Sequence, residues 1–286
     1  MRAQGTNFAS DFSLTANGKT ISLKTPLVMG ILNLTPDSFY DGGCLTSEKE
    51  LLTKAEKHIK DGAVIIDIGA VSTKPNAVEV TEKEELQRLL PALKLLRKNF
   101  PHVFISIDTY RSKVAQAAAD EGADIINDIS GGTFDNNMFD AVAKLALPYI
   151  LMHIQGTPQT MQQNPQYTDV VNDVFTFLNT QANHAKQKGI TQLMIDVGFG
   201  FGKTTQHNYT LLANLNRFID MGLPILVGAS RKGMIYKTLH NTPQQALNGT
   251  TVINTLALLN GANILRVHDA KEASEAIALV NQYCLG

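Results

Sequence analysis

Asp108, Asn127 and Asp196 each stand where a short apolar run stops, and their side chains can read the edge of a flat nitrogen heterocycle. A carboxylate accepts two hydrogen bonds from an amino-pyrimidinone edge, and an amide both donates and accepts. An acidic residue in such a place can equally cap the helix that follows, so the argument rests on the three together. A second set is cationic. Ser230-Arg231-Lys232-Gly233 and Arg266-Val267-His268-Asp269 end two later runs. Alternation along a strand sends Arg266 and His268 to the same side, where a guanidinium and an imidazole can face one anion. Arg231 taken alone reads as a solvated charge.

Val197-Gly198-Phe199-Gly200-Phe201-Gly202-Lys203-Thr204 suggests a phosphate loop but fails both usual tests. Val197 stands where a Walker loop needs glycine, and Lys203 takes the third glycine position of the dinucleotide pattern. The glycines are expected to let backbone approach a flat ligand. Phe201 is then an apolar wall, unless both aromatics merely pack the rim. His153 reads as a hydrogen-bonded core histidine. Cys44 and Cys284 read as free thiols, and the scattered histidines have no zinc-ligand spacing.

The elements that must position these residues follow from the runs themselves. Eight of them stop, in order, at Asn33, Asp67, Asp108, Asn127 with Asp128, His153, Asp196, Ser230, and Arg266 with His268. Each is short and rich in Val and Ile, and a helical pattern follows, as in buried parallel strands. Eight such units predict a single-domain α/β fold, a (β/α)8 TIM barrel, in which all the strand carboxyl ends open on one face. The predicted strands are 27–33, 64–67, 103–108, 124–129, 149–153, 193–197, 224–227 and 264–267. Predicted helices cover 47–60, 82–98, 112–121, 169–188, 243–260 and 270–283, with Ser47 and Thr242-Pro243 as starts. Gly62, Gly122, Gly189 and Gly261 are placed as left-handed caps. Asn17-Gly18 predicts a β-hairpin in residues 1–25 ahead of the barrel domain, 26–286. The long segments 34–46 and 69–80 follow the first two strands and are expected to be lids.

Composition excludes other classes. The chain of 286 residues is 44% hydrophobic and 18% charged, enough for a continuous core. A net charge of −1 without a Lys/Arg run predicts no nucleic-acid or membrane partner. Residues 1–14 lack a signal-peptide pattern and no apolar run is long enough to span a bilayer, which predicts a cytoplasmic protein.

With these segments assembled, the chain resembles the dihydropteroate synthase family of pterin-binding enzymes over nearly its whole length. The resemblance lies in Met29-Gly30-Ile31-Leu32-Asn33-Leu34-Thr35-Pro36-Asp37-Ser38-Phe39, Ile65-Ile66-Asp67-Ile68-Gly69 and Ser106-Ile107-Asp108-Thr109. It continues through Ile126-Asn127-Asp128, Leu151-Met152-His153, Gly198 to Lys203, Ser230-Arg231-Lys232 and Arg266 to Asp269. It implies that 6-hydroxymethyl-7,8-dihydropterin diphosphate and 4-aminobenzoate are joined to 7,8-dihydropteroate, with release of diphosphate and with Mg²⁺ as cofactor. Asp108, Asn127, Asp196 and Lys232 then match pterin contacts, with Met152 packing on the ring. Asn33 matches a magnesium and diphosphate contact, Arg266 and His268 the anion site, with Thr73 beside it. Thr73, Lys74, Pro75, Phe201 and Ser230 match the surroundings of the aminobenzoate. Asp108, Asp196, Lys232, Arg266 and His268 are the expected catalytic groups, and a homodimer is implied. One stretch departs from the family: Val71-Ser72-Thr73-Lys74-Pro75 has valine for a usual glutamate and lysine for a usual arginine, which loses the planar anion-binding fork. A pterin-binding methyltransferase barrel and a non-catalytic pterin-binding paralogue are the competing readings.

Overall fold

The structure, a computed structural model, describes residues 12–34, 45–71 and 80–285. Eight parallel strands close in chain order: β3 (Leu27–Asn33), β4 (Ala63–Gly69), β5 (Phe104–Asp108), β6 (Ile125–Asp128), β7 (Tyr149–Met152), β8 (Leu193–Asp196), β9 (Ile225–Val227) and β10 (Ile264–Val267). β10 returns to pair with β3, Arg266 opposite Met29, so no edge is left open. This is the predicted (β/α)8 barrel. Register brings the polar strand ends level: Asp108 lies opposite Asn127, and Met152 opposite Asp196.

Among the described residues the helices are α1 (Leu45–Lys60), α2 (Glu82–Asn99), α3 (Ser112–Asp120), α4 (Met138–Leu145), α5 (Val170–Gln187), α6 (Thr205–Ala213), α7 (Gly233–Thr238), α8 (Leu247–Leu259) and α9 (Ala270–Leu285). Thr81 starts α2 through a reciprocal box with Glu84, each satisfying an amide the helix leaves free. α1 begins at Leu45, so Ser47 lies inside the helix and is not its cap. The predicted helix 243–260 is two pieces: Thr242 and Gln245 close one 3-10 turn, Pro243–Gln245, before α8 begins. Gly62, Gly122, Gly189 and Gly261 all take φ between 90° and 99°, the left-handed conformation that turns each helix back into a strand.

The hairpin pairs β1 (Ser13–Ala16) with β2 (Lys19–Ser22) through Asn17 and Gly18, both at positive φ. It covers the barrel end opposite the strand carboxyl ends. Asn17 donates to the Ala123 carbonyl at 2.9 Å, Thr15 and Gln192 exchange two bonds, and Lys19 and Arg97 both pair with the buried Asp124 carboxylate. Leu14 and Leu23 continue the core beneath it. No helix among the described residues is long and apolar enough to cross a membrane.

Candidate active site

At the carboxyl ends of the strands, Arg266 is the hub. It leaves β10 and spans two carboxylates, with Nε and Nη2 both 2.6 Å from Asp67 Oδ2 and Nη2 2.9 Å from Asp108 Oδ2. Asn127 turns its amide toward the same Asp67 carboxylate, at 3.3 and 3.4 Å. Asp67, which the sequence marks only as the stop of the second run, thus joins Arg266 to Asn127, and Arg266 carries the network on to Asp108. Asp67 is wholly buried inside β4. The available signal was its charge within Ile65-Ile66-Asp67-Ile68, a placement that requires a partner. Burial and the Asp67 charge push the Asp108 carboxyl up to about 7, with Arg266 opposing.

Asp196 ends β8, accepts from the Gly198 amide at 2.7 Å, and is raised by burial against the pull of Lys232. Lys232 donates to the Phe199 carbonyl at 2.7 Å, and its ammonium lies 4.5 Å from the centre of the Phe201 ring. Burial lowers it to about 8. Phe201 and Met152 belong to a small apolar cluster with Ile129, Ile154 and Met161, separate from the barrel core, whereas Phe199 lies in that core. One wall of the site is therefore apolar, beside Asp196 and Lys232.

Ser230 Oγ meets His268 twice, accepting from its backbone N–H at 3.2 Å and lying 3.1 Å from Nδ1. Burial, then the charge of Arg266, pushes the imidazole down to about 4, so it is neutral near pH 7. Asn33 ends β3 with its side chain exposed, opposite Gly69. Thr73, Lys74, Pro75 and Cys44 lie outside the described residues.

Other expectations change. Arg231 is not a solvated rim charge: it forms a two-pronged pair with Asp269, 2.8 Å on each prong, and bonds the Pro243 and Gln244 carbonyls. Two glycines of the β8 loop make room for neighbouring backbone, while at Gly200 the nearest group is the Lys232 side chain, 3.3 Å from where a Cβ would lie. A Cβ on Gly198 would lie 1.9 Å from the His153 carbonyl oxygen, and one on Gly202 2.4 Å from that of Gln155, so their role is backbone packing on backbone. Lys203 closes this junction, its Nζ 2.9 Å from His153 Nδ1 and 3.0 Å from the carbonyls of Gly198 and Phe201. His153 is the buried, hydrogen-bonded histidine expected.

The geometry defines a class: a closed barrel whose strand ends hold two acceptor carboxylates, an amide and a lysine around one apolar wall, with a neutral histidine at the side. The family model for pterin binding enzymes matches residues 29–268. The chain belongs to the pterin-binding enzyme family. Within it, the chain is 46% identical to the dihydropteroate synthase of Haemophilus influenzae over 266 residues, 92% of this chain and 96% of that protein. It is similar to the Yersinia pestis dihydropteroate synthase solved with a sulfonamide drug complex, at 42% identity and a TM-score of 0.90, covering 96% of this chain and 100% of that one. It is also similar to the Xanthomonas albilineans enzyme solved with 4-aminobenzoic acid, at 38% identity and a TM-score of 0.88, covering 96% and 98%.

Proposed function

We propose that this chain carries out the dihydropteroate synthase reaction, joining 6-hydroxymethyl-7,8-dihydropterin diphosphate to 4-aminobenzoate. The observation that carries the reading is the convergence of Asp108, Asn127 and Asp196 on one strand-end face, with Lys232 beside Asp196. The carboxylates and amide take the donor and acceptor edge of the pterin, and Met152 and Phe201 its flat surroundings.

The C–O bond to diphosphate breaks, the positive charge spreads into the dihydropterin ring, and the arylamine nitrogen closes the C–N bond and then loses a proton. Asp108 and Asp196 are fixed before the reaction, so they stabilise the developing cation without reorganising. His268 and Arg266 face the departing anion, and Arg266 couples the two ends because it already holds Asp108. The arylamine is nucleophilic as the free base, so the protein positions it and excludes water. Phe201, Ser230, Thr73, Lys74 and Pro75 are assigned to its surroundings. Thr73 also lies at the diphosphate.

A magnesium ion fits this chain at Asn33, whose exposed amide oxygen is a hard donor at the strand-end face; Mg²⁺ takes few protein ligands and completes its shell with water and substrate phosphate. When bound it supplies charge to the leaving diphosphate. The exposed Val252 and Leu256 of α8 and Leu279 and Tyr283 of α9 support a homodimer through those helices. The balanced charge supports a cytoplasmic enzyme of small molecules. The test is diphosphate release from purified protein with Mg²⁺ and both substrates; release that does not depend on 4-aminobenzoate, or none, overturns the reading. Sedimentation as a monomer overturns the dimer.

A further inference from the structure

We propose that Ser230 is a positioning residue that fixes His268 as the Nε2–H tautomer, so that a neutral N–H donor faces the departing diphosphate. The inference deepens the function above and rests on His268 facing that anion.

The two residues meet where the β9 and β10 chains leave the barrel. The bond from the His268 backbone to Ser230 Oγ has only one sense, because an amide N–H can only donate. The serine hydroxyl has one proton of its own, and among the described residues its other hydrogen-bond partner is His268 Nδ1. If Nδ1 carried the imidazole proton, Oγ would accept twice, and its own proton would be stranded on a residue only 4% exposed. The reciprocal arrangement leaves nothing unsatisfied: backbone N–H to Oγ, and O–H to the Nδ1 lone pair. The ring proton is then on Nε2, the nitrogen away from the serine.

Charge supports the same state. Arg266, Arg231 and Lys232 all disfavour a second proton on the buried ring, and Asp269 alone favours it. A neutral donor has a consequence for turnover. It contributes a directed hydrogen bond to the departing anion without adding another full charge to hold the product, and the arginine keeps the ionic part of the work.

The test uses the whole protein labelled with ¹⁵N-histidine, without substrates, in long-range ¹H–¹⁵N correlation spectra near pH 7. His268, assigned through His268→Gln, is expected to show an unprotonated Nδ1 and a protonated Nε2. Ser230→Ala is expected to give a mixture of tautomers or Nδ1–H, and Ser230→Thr, which keeps the hydroxyl, retains the original pattern. His153 is the internal control, because its Nδ1 accepts from Lys203 at 2.9 Å and its signals should not move in either variant. Inhibition of turnover by added diphosphate should weaken about three- to tenfold in Ser230→Ala and recover in Ser230→Thr, the range for one lost hydrogen bond. An Nδ1–H pattern at His268 in the unaltered protein, or an unchanged pattern in Ser230→Ala with His153 in place, overturns the assignment. Unchanged diphosphate inhibition overturns its link to the anion. The spectra need no turnover, so failure of the tautomer assignment and failure of the synthase reading are separately visible.

Discussion

Asp67→Asn isolates the residue that the geometry adds to the site. The side chain is wholly buried and takes two contacts of 2.6 Å from Arg266, whose other partner is Asp108 at 2.9 Å. Removing one partner of a buried ion pair costs roughly 3–5 kcal/mol. Arg266 keeps Asp108, and asparagine keeps the shape and one oxygen acceptor, so the expected loss is at the low end, about 3 kcal/mol. Against a typical total of about 5–15 kcal/mol the protein stays folded. Its melting temperature should fall by about 6 °C or somewhat more. The activity effect has a separate signature. With Asp67 neutral, the like charge that helps raise Asp108 is gone, and the guanidinium acts on Asp108 undivided. The Asp108 carboxyl therefore falls from about 7, and the acid limb of kcat/KM for the pterin substrate moves to lower pH. Above that limb kcat/KM should drop by about 100-fold, or about 2.7 kcal/mol, because Arg266 now competes with the pterin for Asp108. Diphosphate release followed from pH 5 to 9, beside calorimetry on the same samples, measures both. An acid limb that stays in place or moves upward refutes the coupling, whatever happens to stability.

The contrasting variant is Asp124→Asn at the opposite barrel end, where Lys19, Arg97 and Asn17 converge: it should lose about 3–5 kcal/mol in denaturant titration and keep the pH profile of turnover. Gly198→Ala should unfold the β8 loop or abolish soluble expression, since its Cβ would lie 1.9 Å from the His153 oxygen. Gly222→Ala, with φ +62° and open space, should cost only about 1–2 kcal/mol in the same titration. His153 has a folded pKa pushed down to about 2, mainly by burial, against about 6.5 unfolded. Between those values the unfolded chain holds the proton and the folded one does not. Its contribution is present above about pH 6.5 and lost as pH falls, at up to about 1.4 kcal/mol per pH unit. His153→Gln should remove one proton from the slope of stability against pH between 4 and 5.5; identical slopes would contradict the buried neutral state. Lys232→Ala should abolish turnover while circular dichroism is unchanged, and near-normal activity would remove its assigned role.

The barrel was legible because parallel strands buried on both faces leave little reason for a polar residue except near where they open on the site: Asn33, Asp108, Asp128 and Asp196 end their strands, while Asp67 lies two residues inside β4 and Ser230 three beyond β9. β3 and β10 run over the predicted residues, 27–33 and 264–267. α4, α6 and α7 were not predicted: with eight, nine and six residues they offer few turns for periodicity to stand out, though α3, also of nine residues, was found in its alanine-rich run. Nor was the pairing of Asp67 with Arg266, which lie 199 positions apart and meet only when the barrel closes. Gly198 and Gly202 of the β8 loop show a missing side chain in the sequence, and only the fold shows that the backbone of His153 and Gln155 fills the space.

A charge inside an apolar run therefore locates a demand for partners without saying whether the fold or a ligand meets it. Asp128 carries that signal as strongly as Asp108, and Lys203, outside any apolar run, is also deeply buried, yet both are spent within the protein. Asp128 accepts from Tyr149, Ser130 and Gly132, and Lys203 has three acceptors within 3.0 Å. At the open face the capacity is left over. Among the described residues the Asn127 side chain makes only the long contacts of 3.3 and 3.4 Å, and Asp108 is engaged by Arg266 through one oxygen, Oδ2. Buried polar groups with unused hydrogen-bonding capacity are costly in an empty barrel mouth and become favourable once a flat, polar-edged molecule supplies the missing partners. That difference, more than the identity of the residues, separates the groups proposed to recognise the pterin from those that hold the barrel together.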